Sequence, residues 1–140
     1  MSNHSYQLAG HTADVRLKIE GKTQEKLFMS ALDGMDEIIK RGFCKDLDKP
    51  QLRQVISIKS SDLTNLLIDF LSEILTLSHE NKAVFCKVKF LRLAKTFLHA
   101  EILGTKVDRF DRDIKAVTYH EAEVKKNESG KLQAMIVFDI

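Results

Sequence analysis

The chain has 140 residues, 44% hydrophobic and 30% charged, and its 22 Lys and Arg against 20 Asp and Glu leave a formal charge of +2. A chain of this length folds around one core, and the composition carries neither the disorder signature nor the membrane signature. So small a charge supplies no field to hold a nucleic-acid backbone unaided, which disfavours a direct nucleic-acid binder.

The opening residues, MSNHSYQLAG, lack a basic flank followed by an apolar run, and no uninterrupted apolar stretch is long enough to span a bilayer. The expected address is the cytoplasm, or also the nucleus in a eukaryotic cell, with no membrane partner. From Thr12 to Glu20, Ala13, Val15, Leu17 and Ile19 alternate with Asp14, Arg16, Lys18 and Glu20, the period of a half-buried strand. After Gly21, Thr23 can cap a helix in which Leu27, Ala31, Met35, Ile38 and Ile39 recur at helical spacing until Gly42. The only proline, Pro50, precedes a second alternating run with Val55, Ile56 and Ile58 apolar. Ser61 or Asp62 then caps a second helix, whose Leu63, Leu66, Leu67, Phe70, Leu71, Ile74 and Leu75 form a wide apolar stripe.

The last third reads as four strands: Ala83 to Leu91, Thr96 to Leu103, Ile114 to Val124 and Leu132 to Ile140. Asp108 to Asp113 makes a loop, and KKNESG, Lys125 to Gly130, is a hairpin signal. This order argues for a single α+β domain over residues 1–140, with two helices packed on an antiparallel or mixed sheet.

Chemistry-bearing residues are sparse. HTAD, His11 to Asp14, places an imidazole and a carboxylate at the start of the first strand, but a hard cation needs several oxygens and one Asp cannot hold it. The closing AMIVFDI is a strand-like run, so Asp139 stands beside the terminal carboxylate of Ile140, two anionic groups at an end tied into the sheet. On the second helix Asp62, Asn65, Asp69, Ser72, Glu73 and Thr76 lie opposite the leucines, as a solvated face would. Cys44 and Cys86 form no Cys-x-x-Cys pair and are expected as buried free thiols. No His-Glu-x-x-His, phosphate-binding glycine loop or Gly-x-Ser-x-Gly elbow occurs. In DIKAVTYHEAEV, Asp113 to Val124, alternation sends Ala116, Thr118, His120 and Ala122 one way and Lys115, Val117, Tyr119 and Glu121 the other. Composition and spacing assign no role to Lys115 or His120.

Taken together, HTADV, NLLIDFLSEILTL at Asn65 to Leu77, DIKAVTYHEAEV and the terminal VFDI resemble the archease family in content, order and spacing over nearly the whole chain. The resemblance implies a small protein similar in fold to part of a redox-regulated chaperone. It implies an activator, not itself an enzyme, of the RtcB-type RNA ligase that joins tRNA exon halves, promoting guanylylation of the ligase and repeated turnover. Transfer RNA would be met only through the ligase. The same resemblance implies that Asp14, Asp139 and the terminal carboxylate of Ile140 hold a divalent metal ion, calcium first, with magnesium or manganese suiting the same oxygens.

Lys115 is implied in ligase activation: its cation keeps neighbouring acids ionised and its long stem reaches a partner's phosphate or carboxylate. His11 and His120 come with the motif as residues that support the ligands from behind. Four features depart from the family pattern: Arg16 where a small residue is common, Glu121 where glycine is frequent, Leu132 where tryptophan is frequent, and a short loop before Asp113. Two rival readings use the same chain. A small metal-dependent hydrolase would activate water with these carboxylates, and a general chaperone or interaction module would protect clients without metal.

Overall fold

Thr23 caps the first helix as its sequence predicts, its hydroxyl accepting from the N–H of Lys26, and Asp62 caps the second, accepting from Asn65. The computed structural model describes residues 3–6, 13–45 and 49–140. In chain order the elements are β1 (Asn3–Tyr6), β2 (Ala13–Gly21), α1 (Gln24–Ile39), β3 (Leu52–Lys59), α2 (Leu63–Asn81), β4 (Ala83–Leu93), β5 (Phe97–Lys106), β6 (Ala116–Thr118), β7 (Lys125–Lys126) and β8 (Leu132–Asp139).

The α+β class holds, but the strands divide into two sheets rather than one. The first runs β1-β2-β8-β6, with β7 sharing the edge of β8; the second runs β3-β5-β4. Every pairing among the described residues is antiparallel, so the mixed alternative is not realised. Strand β8 is central because its run from Leu132 to Asp139 is apolar enough to be buried, with Ile136, Val137 and Phe138 at 3% exposure or less. The helices bridge the sheets: α1 touches β2, β8 and β4, while α2 touches β3, β4, β5 and β6.

Their apolar stripes meet in a trio of rings, with Phe28 of α1 5.3 Å from Phe70 of α2 and Phe90 of β4 5.6 Å from Phe70. Such tilted pairs contribute beyond their buried area. Gly34 of α1 lets that helix lie directly on β2, since a Cβ there would stand 2.3 Å from Leu17 Cδ2. The approach fixes the height of β2 against the core, and with it the position of Asp14 at the strand's start.

Two expectations fail. The expected strand from Ile114 to Val124 reduces to β6 and a turn, and β7 begins only at Lys125. Ala122 donates to the Tyr119 carbonyl, Glu121 adopts the left-handed region at φ 62°, and the Val124 N–H goes to the Thr64 hydroxyl of α2 instead of to a strand. Alternation therefore stops at Thr118 and no longer orients His120 or Ala122. Cys44 and Cys86 are not free thiols but a disulfide with a Cα separation of 5.5 Å, because the turn after α1 delivers Cys44 to β4. The polar face of α2 is exposed or half-buried, as expected, and borders a cleft. Asp69, Ser72, Glu73 and Thr76 oppose Ser57 and Lys59 of β3 across a cleft of about 450 Å³. Asp69 there accepts from Ser60 and from the Tyr119 hydroxyl, which links the 119–122 turn to the helix.

Candidate functional site

The register of the first sheet decides which sequence motifs can act together. Asp14, at the start of β2, lies opposite Asp139, at the end of β8, and Asp139 lies opposite Ala116, at the start of β6. Directly opposed residues in an antiparallel pair carry Cβ atoms about 5 Å apart on the same side of the sheet. The N–H of Lys115 donates to the Asp139 carbonyl at 2.7 Å, so Lys115 enters the site through its backbone, while its side chain is exposed. Ile140 follows Asp139 and is half-buried. Residues 14, 115, 139 and 140, drawn from both ends of the sequence, thus share one corner.

One row further along, Arg16, Val137 and Thr118 oppose one another, and a step of two residues keeps them on the same face as Asp14, Asp139 and Ala116. The intervening row, Val15, Phe138 and Val117, is buried in the core. Two oxygens on the Asp14 face, Asp14 Oδ1 and Thr118 Oγ1, are buried without a hydrogen-bond partner among the described residues. Buried polar atoms are rarely left so. Both can accept from a donor or coordinate a cation.

Among the described residues, Arg16 is the cation nearest to Asp14. Its Nε stands 3.8 Å from Asp14 Oδ1, beyond hydrogen-bonding reach, while its Nη1 donates to Glu121 Oε2 at 2.6 Å. His120 is largely exposed, with Nε2 3.1 Å from the same Glu121 oxygen; it touches the ion pair, not the acidic row. His11 lies outside the described residues. The Arg16–Glu121 pair was not readable from the sequence. Each residue stands out there as a departure from the family pattern, but nothing local joins positions 105 apart.

The donor set at this corner is all oxygen, the chemistry that suits hard cations rather than zinc or copper. The only described cluster of three metal-type side chains lies elsewhere, at Asp36, Cys44 and Cys86.

The model of the Archease protein family (MTH1598/TM1083) matches residues 6–140. The chain belongs to the archease family. Protein archease of Methanosarcina barkeri is 34% identical over 143 residues, covering 96% of this chain and 95% of that protein. Protein archease of Pyrococcus abyssi is 29% identical over 137 residues, covering 93% and 94%. Among solved structures, the solution structure of Methanobacterium thermoautotrophicum protein 1598 has a TM-score of 0.71 at 26% identity, covering 94% of this chain and 95% of that one. The crystal structure of an archease, "possible chaperone", from Thermotoga maritima has a TM-score of 0.68 at 21% identity and 99% coverage of both, a likeness of fold. No described helix of this archease-family chain is long and apolar enough to cross a membrane.

Proposed function

We propose that this archease-family protein is a non-catalytic activator of an RtcB-type RNA ligase, working through a divalent cation held by Asp14 and Asp139, with Lys115 facing the partner. The observation that carries the reading is the opposition of Asp14 to Asp139, with a buried oxygen on Asp14 that has no partner among the described residues. Oxygen donors suit calcium, with magnesium or manganese as alternatives, and the family resemblance adds the carboxylate of Ile140 to the set. When bound, the cation would balance the carboxylates and offer open coordination positions to a partner's oxygens. The chain's own groups do the rest. Strand pairing holds the two carboxylates in register, and the Lys115 backbone bond to Asp139 aims that lysine from the same corner.

Among the described residues no nucleophile or proton-transfer pair accompanies the carboxylates, which favours an activator over a hydrolase. Transfer RNA enters only through the ligase, and the working compartment is the cytoplasm, or the nucleus in a eukaryotic cell. The test is ligase guanylylation with GTP and multiple-turnover ligation by a cognate ligase, with and without this protein and with and without chelator. Metal-dependent stimulation supports the reading. Metal-independent protection of unrelated clients, with no effect on the ligase, would replace it by the chaperone reading.

A further inference from the structure

Away from the acidic corner, α1 carries a carboxylate in a place where charge is costly. Asp36 is 2% exposed, packed beside Leu32, Met35 and Ile39, and its Oδ1 has no hydrogen-bond partner among the described residues. Its Oδ2 lies 3.7 Å from Cys44 Sγ, and the carboxylate and both sulfurs of the Cys44–Cys86 disulfide fall within 4.8 Å of one another. A disulfide sulfur carries no proton. The hydrogen in that contact therefore belongs to Asp36, whose carboxyl is held well above the ordinary aspartate range first by burial and then by the charges of Asp33 and Glu37.

Both cysteines are half-buried, and it is Cys86 that borders a groove. Cys86 is the extra residue of a bulge in β4: Phe85 opposes Gly104 and Lys87 opposes Leu103, so Cys86 has no partner in the ladder. Bulges re-aim side chains and are frequent beside active sites. Cys86 lines a groove of about 320 Å³ between α1 and β4, with Met29, Leu32, Asp33, Lys87 and Val88. One sulfur thus borders an open groove with a lysine at its edge, and the other touches a buried acid.

We propose that Cys44, Cys86 and Asp36 form a thiol–disulfide exchange site whose substrates are thiol-bearing molecules, small or protein-borne, with Asp36 as its acid and base. A thiolate entering the groove attacks Cys86 Sγ and forms a mixed disulfide. The Cys44–Cys86 bond breaks, and Cys44 leaves with the electron pair and takes the proton of Asp36, which becomes a carboxylate. A second thiolate attacks the incoming sulfur of the mixed disulfide and releases Cys86 as a thiolate, which water protonates. Two thiols are oxidised to one disulfide while the protein's own disulfide is reduced to two thiols. In reverse, the Asp36 carboxylate takes the Cys44 proton and makes it the nucleophile. The groups facing Asp36 are Asp33 and Glu37 of its own helix and the two sulfurs, with Lys87 of β4 at the groove.

The test uses the full chain, oxidised, with excess dithiothreitol under native conditions, followed by alkylation and mass measurement while circular dichroism reports the fold. The disulfide is expected to be reduced without loss of the folded signal. Asp36→Asn is expected to slow reduction at least about tenfold, a modest share of what a general acid can supply. Divided by thiolate concentration, the wild-type rate falls as pH rises through the ionisation of Asp36, whereas the Asn variant gives a flat profile. Should Asp36→Asn unfold, the single-cysteine variants decide. With oxidised glutathione, Cys44→Ser is expected to form its mixed disulfide at Cys86 at least about tenfold faster than Cys86→Ser forms one at Cys44. Reduction only after unfolding, identical pH profiles for wild type and Asp36→Asn, or faster trapping at Cys44 would each overturn the proposal.

Discussion

Arg16 and Glu121, 105 residues apart in the chain, meet at 2.6 Å beside the acidic row. Glu121 holds the guanidinium so that its Nε stays 3.8 Å from Asp14 Oδ1 instead of closing on it. At the calcium site proposed above, the pair would hold back a competing cation. Arg16→Ala removes that competitor and is expected to tighten calcium binding about twofold to fivefold, the scale of a partly exposed ion pair. Glu121→Gln frees Arg16 to close on Asp14 and weakens binding by a similar factor. Isothermal titration with calcium at low salt checks both, and both effects shrink as salt rises. Unchanged affinity in either variant shows that Arg16 does not touch the cation's environment.

Glu121 also occupies the left-handed region, where a side chain costs about 1–2 kcal/mol and glycine costs little. Replacing it separates backbone strain from the ion pair. Glu121→Gly and Glu121→Ala both lose the contact with Arg16, but only glycine relieves the strain. The glycine variant should therefore be the more stable of the two by about 1 kcal/mol in urea unfolding. Equal midpoints would mean that the turn relaxes around the alanine.

Asp36 makes stability depend on pH in a predictable direction. Its native pKa is raised, so between the ordinary value of 3.8 and the native one the folded chain holds a proton that the unfolded chain has released. Its contribution is complete below the ordinary value and is lost as pH rises toward the native pKa. Asp36→Asn lacks that proton. As pH rises from about 4 toward the native pKa of Asp36, the wild type should lose stability relative to the variant, and above that pKa run parallel to it. Denaturant midpoints across that range, with the disulfide intact, give the comparison; curves parallel throughout contradict a buried protonated acid.

The ring trio joins both helices to β4. Phe70 is fully buried against Phe28 and Phe90, and Phe70→Ala should cost about 3–5 kcal/mol through lost burial and the cavity left behind. Thermal unfolding measures it. A loss under about 1 kcal/mol would mean that the helices close the gap.

Much of this fold is written locally. The alternation of Val15, Leu17 and Ile19, the leucine stripe of α2 and the caps at Thr23 and Asp62 each fit within one element, and each forms where the sequence predicts. What escaped is non-local. Register sets Asp14 against Asp139, and no window of sequence contains both; only the family resemblance joined them beforehand. The break after Thr118 was hidden because Glu121 holds a left-handed turn that glycine would have advertised. The disulfide was missed for a similar reason, since a separation of 42 residues matches no motif and only the packing of α1 beside β4 brings Cys44 to Cys86. Strand β1 has four residues, too few to show a period.

The most direct measurement is multiple-turnover RNA ligation by a cognate RtcB-type ligase, comparing wild type with an Asp14→Ala, Asp139→Ala double variant whose folding is checked by circular dichroism. The account predicts calcium-dependent stimulation by the wild type and loss of most of it in the folded double variant. Equal stimulation by the two proteins would contradict the acidic corner as the working part of the molecule.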